Sequence, residues 1–344
     1  MEEYKLTKHS HAAGCGCKMS PSDLALILTE RSDLHFKELL VGNHSNDDAA
    51  VWDIGNGQAV INTVDFFMPI VDDAYDFGRI AAANAISDIY AMGGKPIFAN
   101  ALLGWPIGNL PLELAAKVMD GAKDICKLAG IPIAGGHSID NKEPLFGLSV
   151  SGLVRTEFLK KNNTPEIGDL LLLTKPLGTG IVATAIKRQM ANEVHLQAAI
   201  LSMCTLNNAG EKLGEQSGVN ALTDVTGFGL LGHLIEMCGD EFSAELNWSK
   251  VPRFDFLEEY LSQNIIPDNT YRNWNAYENK VDGIVDMTSF QVLNDPQTSG
   301  GLLIAIQPES LILVQTVLKS FGINSVEPIG IVTAKKEKTI LITA

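Results

Sequence analysis

The sequence predicts an α/β protein of the α+β type: two mixed-sheet domains, preceded by a mobile arm rich in glycine and cysteine. Three observations carry this expectation. The chain has 344 residues, more than one ordinary core holds, and domains run to roughly 100–200 residues each. The polar stretch RTEFLKKNNTPEIGD at 155–169, with the helix breakers Pro165 and Gly168, separates two apolar-rich halves. Within each half, short strand-like runs alternate with longer helical patterns. The expected boundaries are an arm over 1–20, an N-terminal domain over 21–157 and a C-terminal domain over 165–344.

In chain order, AAVWDI and QAVINTV read as strands. A helical pattern follows from Tyr75 to Met92 and is stopped by Gly93, Gly94 and Pro96. A second helix over about 111–129 leads through Gly130 to the strand IPIAGG, with a turn at its glycines, and then to PLFGLSVSGLV. The second half opens with DLLLLTKPLG as strand and turn and continues with helical stretches near 179–190 and 195–214. VNALTDVTGFGLLGHLIEMCG then reads as a strand turning into a helix. No fixed-period repeat is present.

Composition narrows the function. A net charge of −15 leaves no basic footprint for DNA or RNA. The opening MEEYKLTKHSH lacks a secretory apolar segment, and no run reaches the ~20 apolar residues of a membrane helix. A cytoplasmic location is therefore expected. Five cysteines make no disulfide framework, and Cys126, Cys204 and Cys238 stand in apolar periodic contexts that suit buried thiols.

Carboxylates mark the chemistry. Asp47 and Asp48 precede a strand, Asp65 stands near the end of the next, and Asp224 ends a later one, with Thr226 placed to cap the following helix. Asn84 and Asp88 share one helix face, which is either a solvated stripe or the wall of a polar pocket. Taken singly, such residues are usually caps or turns, and Asp47 is the plainest candidate for that role. Together, acidic groups without basic partners call for a hard divalent cation, and Mg²⁺ suits a site where phosphates supply the remaining ligands.

AGGHSID at 134–140 offers backbone N–H groups to an anion, although most glycine pairs are simply turns. NDPQTSGGLLIAI at 294–306 reads as a structural turn. No Walker motif and no kinase H-R-D occurs, and the isolated DFG at 76–78 opens a helix without companion motifs.

The segment HSHAAGCGCKMSP, 9–21, admits several readings. A zinc clip through His9, His11, Cys15 and Cys17 departs from the usual C-x₂₋₄-C spacing, and a C-x-C disulfide has poor geometry. A reactive arm, loosened by Gly14 and Gly16, places a thiol beside Lys18, whose charge favours the thiolate.

GCGCKMSP, NDDAAVW, TVDFFMPIVDDAYDFGRIAAANAISDIYAMGGKP, AGGHSID, LTDVTGFGLLGH and DPQTSGGLL resemble, in order and spacing, the selenophosphate synthetase (selenide, water dikinase) family, from Ser10 to the C-terminus. The resemblance implies the aminoimidazole ribonucleotide synthetase-like fold, with N-terminal domains pairing across a homodimer. It implies synthesis of selenophosphate from ATP, selenide and water, releasing AMP and orthophosphate, with Mg²⁺ required and room for a monovalent cation such as K⁺. A selenium-delivery protein would be a further partner. By position it implies Cys15 and Lys18 as catalytic residues and Asp48, Asp88 and Asp224 as Mg²⁺ ligands. Lys18, Ser45, Asn46, Asp47, Asp65, Asp88, Gly136, His137 and Ser138 would line the nucleotide. Asn294 departs from the family, where cysteine is common. A thiamine-monophosphate kinase or hydrogenase-maturation dehydratase of the same superfamily would share the aspartates without needing GCGCK. A soft-metal binding protein would leave the aspartates unexplained.

Overall fold

A computed structural model describes residues 4–10, 14, 27, 36–42 and 47–344. Alternation of buried and outward residues along QAVINTVDFF marks a strand with one face on a core. This strand, β3 (Gln58–Phe67), lies within a six-stranded sheet together with β1 (Leu39–Val41), β2 (Ala50–Gly55), β4 (Lys95–Trp105), β5 (Ile133–Asp140) and β6 (Leu145–Arg155). The order is β1-β2-β3-β6-β4-β5, so β5 forms an edge. It pairs parallel with β4, and the other neighbours are antiparallel.

Helix α1 (Ala74–Ala91) covers this sheet and is buried nearly all round. Its run of small residues lets α2 (Leu112–Leu128) cross closely, with Gly78 against the Val118 carbonyl and Gly121 against that of Tyr75. Asp73 caps α1 by accepting from the Asp76 N–H at 2.9 Å. The helix ends where Gly93 takes φ +71° and Gly94 N–H returns to the Ile89 carbonyl at 2.9 Å.

Strands of the second half form a sheet ordered β10-β13-β9-β12-β7-β11-β8. These are β7 (Leu170–Leu173), β8 (Val219–Asp224), β9 (Phe242–Asn247), β10 (Val281–Asp282), β11 (Leu302–Ile306), β12 (Gly330–Ala334) and β13 (Ile340–Thr343). Around them lie α3 (Thr179–Lys187), α4 (Glu193–Cys204), α5 (Ala209–Gly214), α6 (Gly229–Cys238), α7 (Leu257–Leu261), α8 (Asp268–Tyr277), α9 (Met287–Leu293) and α10 (Leu311–Ser320). Helix α1 packs on β3 and β6 and also touches α4, α5 and β8, so one helix is shared by the two sheets' layers.

Four local expectations change. Lys95–Trp105 is a full strand, because Pro96 stands near its start where the register is already irregular. The glycines of AGGHSID lie inside β5 and not in a turn after it. The stretch 195–214 is two helices, divided at Thr205, whose N–H folds back to Leu201 and Ser202. Thr226 does not cap α6; its own N–H donates to His233 Nε2 at 3.0 Å.

Of the expected arm over 1–20, residues 4–10 and 14 are described. Leu6 in the short turn Leu6–His9 is fully buried. Thr7 donates to Asp72 through both N–H (3.1 Å) and Oγ1 (2.5 Å), and Lys187 Nζ reaches the Ser10 carbonyl at 3.1 Å. Cys126, Cys204 and Cys238 are buried free thiols, and burial pushes each up to about 12. Among the described residues no helix is long and apolar enough to cross a membrane.

Candidate functional site

Asp48, Asp88 and Asp224 come together where the two sheets meet, each offering a carboxylate oxygen within 4.8 Å of the others. They arrive from three elements: the approach to β2, the buried face of α1 and the last residue of β8. Each is held by a hydroxyl. Thr63 Oγ1 on β3 donates to Asp88 Oδ2 at 2.5 Å, Ser87 Oγ to Asp224 Oδ2 at 2.5 Å, and Thr223 Oγ1 to Asp48 Oδ1 at 2.8 Å. The last two contacts cross between the halves. Such donors favour charged carboxylates and fix their orientation.

Like charges nevertheless work against one another here. Asp48 is pushed well above the usual carboxylate range, first by burial of its carboxyl and then by the like charges of Asp224, Asp88 and Asp47, against the opposing Thr223 bond. Its Oδ2 is buried without a hydrogen-bond partner. A cluster of this kind, oxygen donors only and one of them unpartnered, fits a hard divalent cation.

A buried loop over 294–300 forms the wall behind the cluster. Ser299, at φ +48°, donates its N–H to Asn84 Oδ1 at 2.7 Å, and Asn84 Nδ2 donates to Asp65 Oδ2 at 2.6 Å. Asn84 is fully buried; the shared face of Asn84 and Asp88 is thus the wall of a polar pocket and not a solvated stripe. Asn207 Nδ2 joins Ser87 Oγ (2.8 Å) to the Gly300 carbonyl (2.9 Å). Lys175 Nζ donates to the carbonyls of Thr205 (2.7 Å) and Ser299 (2.9 Å); burial pushes it down to about 7, with Asp224 pulling the other way. Gln297 and Asp295 accept from the first N–H groups of α3, at Gly178, Thr179 and Gly180, which is the structural role expected of this turn. Burial pushes Asp295 up to about 8.

Other expected site residues fall into two groups. Asp47 Oδ1 accepts from the Asn162 N–H at 2.9 Å, tying the aspartate pair to the segment between the halves, and Asp65 stands beside Asn84. Gly136, His137 and Ser138 are exposed on the edge strand β5. The register runs Asp65 to Leu148, Leu148 to Ala101 and Ala101 to Gly136; three strand spacings place Gly136 about 14 Å from Asp65. Cys15, Lys18, Ser45 and Asn46 lie outside the described residues.

Sequence reasoning passed over Thr63, Ser87, Thr223, Asn207 and Lys175. A signal existed for some of them. Thr63 shares a strand face with Asp65 by the two-residue period, and Ser87 is three residues from Asn84 on the helix. Lys175 is a lone cation after the apolar run LLLL. Nothing local marked Asn207.

Comparison with known proteins agrees with this architecture. Residues 46–154 match the AIR synthase related protein N-terminal domain, and residues 166–342 match its C-terminal domain. A protein named selenide, water dikinase from Colwellia psychrerythraea is 52% identical over 342 residues, covering 99% of both chains. One of the same name from Aeromonas hydrophila is 52% identical over 337 residues, covering 97% of each. Among solved structures, thiamine-monophosphate kinase from Stenotrophomonas maltophilia K279a superposes with a TM-score of 0.63 at 17% identity, over 95% of this chain and 96% of the other, a likeness of fold alone.

Proposed function

We propose, from the premise that this chain belongs to the selenide, water dikinase family, that it transfers the γ-phosphoryl group of ATP to selenide. It then hydrolyses the remaining ADP, so that selenophosphate, AMP and orthophosphate leave. The observation that carries the reading is the convergence of Asp48, Asp88 and Asp224 from both halves, with Asp48 Oδ2 left unpartnered.

These three carboxylates would hold Mg²⁺, which when bound neutralises phosphate charge and orients the phosphates for in-line attack. The chain's own groups do the rest. Thr63, Ser87 and Thr223 orient the carboxylates, and Asn84, steadied by Ser299, holds Asp65 toward the nucleotide side. Asp47, with Ser45 and Asn46 beside it in sequence, lines the nucleotide. Lys18 serves as a cationic phosphate contact and Cys15 as the thiol that receives or guides selenide.

Gly136, His137 and Ser138 stand on an exposed edge strand, three strand spacings from Asp65. Their exposed edge strand would complete the nucleotide site of a second copy, which makes the homodimer part of the active unit. Exposed Trp52, Ile54, Val64, Phe66, Ile97 and Ile139 on β2 to β5 support this pairing. Apolar area of this kind on one sheet is what a copy of the same sheet would cover.

Anaerobic product analysis tests the function. With Mg²⁺ and selenide, ATP should yield AMP as the final nucleotide; ADP as the sole product, formed at the same rate without selenide, would overturn it.

A further inference from the structure

We infer that Gly14 is a steric seat fixing the start of the reactive arm, and that its lack of a side chain positions Cys15, the next residue. This rests on the reading of Cys15 proposed above.

The observations are local and independent of that reading. Gly14 has φ +53°, where L side chains are disfavoured. Its N–H donates to the Met68 carbonyl at 3.1 Å. A Cβ on Gly14 would stand 2.5 Å from Thr298 Oγ1 and 2.6 Å from Ile70 Cδ1, both closer than van der Waals contact permits. Both atoms are side-chain ends with little open space around them. Ile70 is almost wholly buried, and Thr298 is buried with its N–H held by Thr179 Oγ1 at 3.0 Å. Backbone conformation and space therefore both select glycine, for reasons opposite to flexibility.

The seat is also placed where it matters. Met68 and Ile70 follow β3, three and five residues after Asp65, while Thr298 precedes Ser299, whose N–H holds Asn84 against Asp65. Thr7 is fastened to Asp72 in the same loop. The chain is thus pinned on that loop at Thr7 and again at Gly14, one residue before the thiol. Pinning of this kind supplies orientation, and misplacement of a reacting group by ~1 Å costs on the order of 100-fold in rate.

The test is the selenide-dependent kcat/KM and thermal midpoint of Gly14→Ala, of Ile70→Val/Thr298→Ala, and of the triple variant Gly14→Ala/Ile70→Val/Thr298→Ala, alongside Cys15→Ser. Gly14→Ala should lose roughly 100-fold in kcat/KM with a near-native thermal midpoint. The triple variant, whose removed Cδ1 and Oγ1 are the two nearest obstructing atoms, should recover about tenfold of that loss, leaving a deficit from the left-handed backbone. A merely structural glycine would lose thermal midpoint in step with activity. Gly14→Ala within twofold of native, with Cys15→Ser inactive, would overturn the seat and leave the reactive arm standing. A loss that the enlarged seat does not relieve would overturn it too. Full activity in Cys15→Ser would instead sink the reading on which the inference rests.

Discussion

Replacing Asp48 by asparagine should stabilise the metal-free protein while removing its response to Mg²⁺. In the folded chain Asp48 is raised well above the carboxylate range, chiefly by burial and then by Asp224, Asp88 and Asp47. A carboxyl with a raised folded pKa contributes stability that is full below the unfolded value near ~3.9 and is lost as pH rises through the folded value. Above that point the native chain carries the repulsion. At the 4.8 Å limit of the cluster, one like-charged pair costs about 3 kcal/mol at an effective dielectric of ~20. Protonation of Asp48 relieves part of this, and the Thr223 bond to Oδ1 survives in asparagine. We expect metal-free Asp48→Asn to gain about 1–3 kcal/mol at pH 8, or about 2–5 °C for a chain of this size. The gain should shrink as pH falls. Native protein should gain about 2.7 kcal/mol when free Mg²⁺ reaches 100 times its dissociation constant, and the variant should not. Calorimetry in chelator and in Mg²⁺ with a non-hydrolysable ATP analogue, from pH 6 to 9, reads both effects. A variant less stable than native in chelator, or one that keeps the native Mg²⁺ response, would refute the cluster's electrostatics.

Ser87→Ala removes the donor to Asp224 Oδ2 and the acceptor of Asn207. It should weaken apparent Mg²⁺ affinity about 10–100-fold while sparing turnover at saturating Mg²⁺, as a metal titration of ATP consumption will show. Cys15→Ser and Lys18→Ala should each abolish selenide-dependent turnover while Cys17→Ser keeps most of it; equal damage from the two serine variants, with loss of a bound zinc, would favour the metal clip. Mixing Asp88→Ala with His137→Ala subunits, each expected to be inactive alone, should restore about a quarter of native activity, because half of randomly exchanged dimers carry one intact site; no recovery after demonstrated exchange would contradict a shared site.

Asp48, Asp88 and Asp224 stand out together through the family resemblance, and the surroundings of two of them follow a strong sequence pattern. Asp224 ends a strand and Asp88 lies on a long uninterrupted helix, so their neighbourhoods could be read locally. What joins them was not legible. Ser87 and Asp224 are 137 residues apart, and Asn84 and Ser299 are 215 apart, so the network belongs to the packing of two halves and to no periodicity. β4 was hidden because Gly94 and Pro96 read as breakers, although a strand tolerates proline near its start. Gly14 shows the converse: beside other small residues it reads as freedom, and the atoms near its missing side chain come from Ile70 and Thr298, far along the chain.

The most direct measurement is anaerobic ³¹P NMR of the complete reaction with ⁷⁷Se-labelled selenide, ATP and Mg²⁺. Selenophosphate synthesis at the aspartate cluster predicts a phosphorus resonance split by a directly bonded ⁷⁷Se, appearing in step with AMP and orthophosphate and absent in Asp88→Ala. ATP consumption with no phosphorus–selenium coupling, or a coupled resonance that persists at native rate in Asp88→Ala, would contradict it.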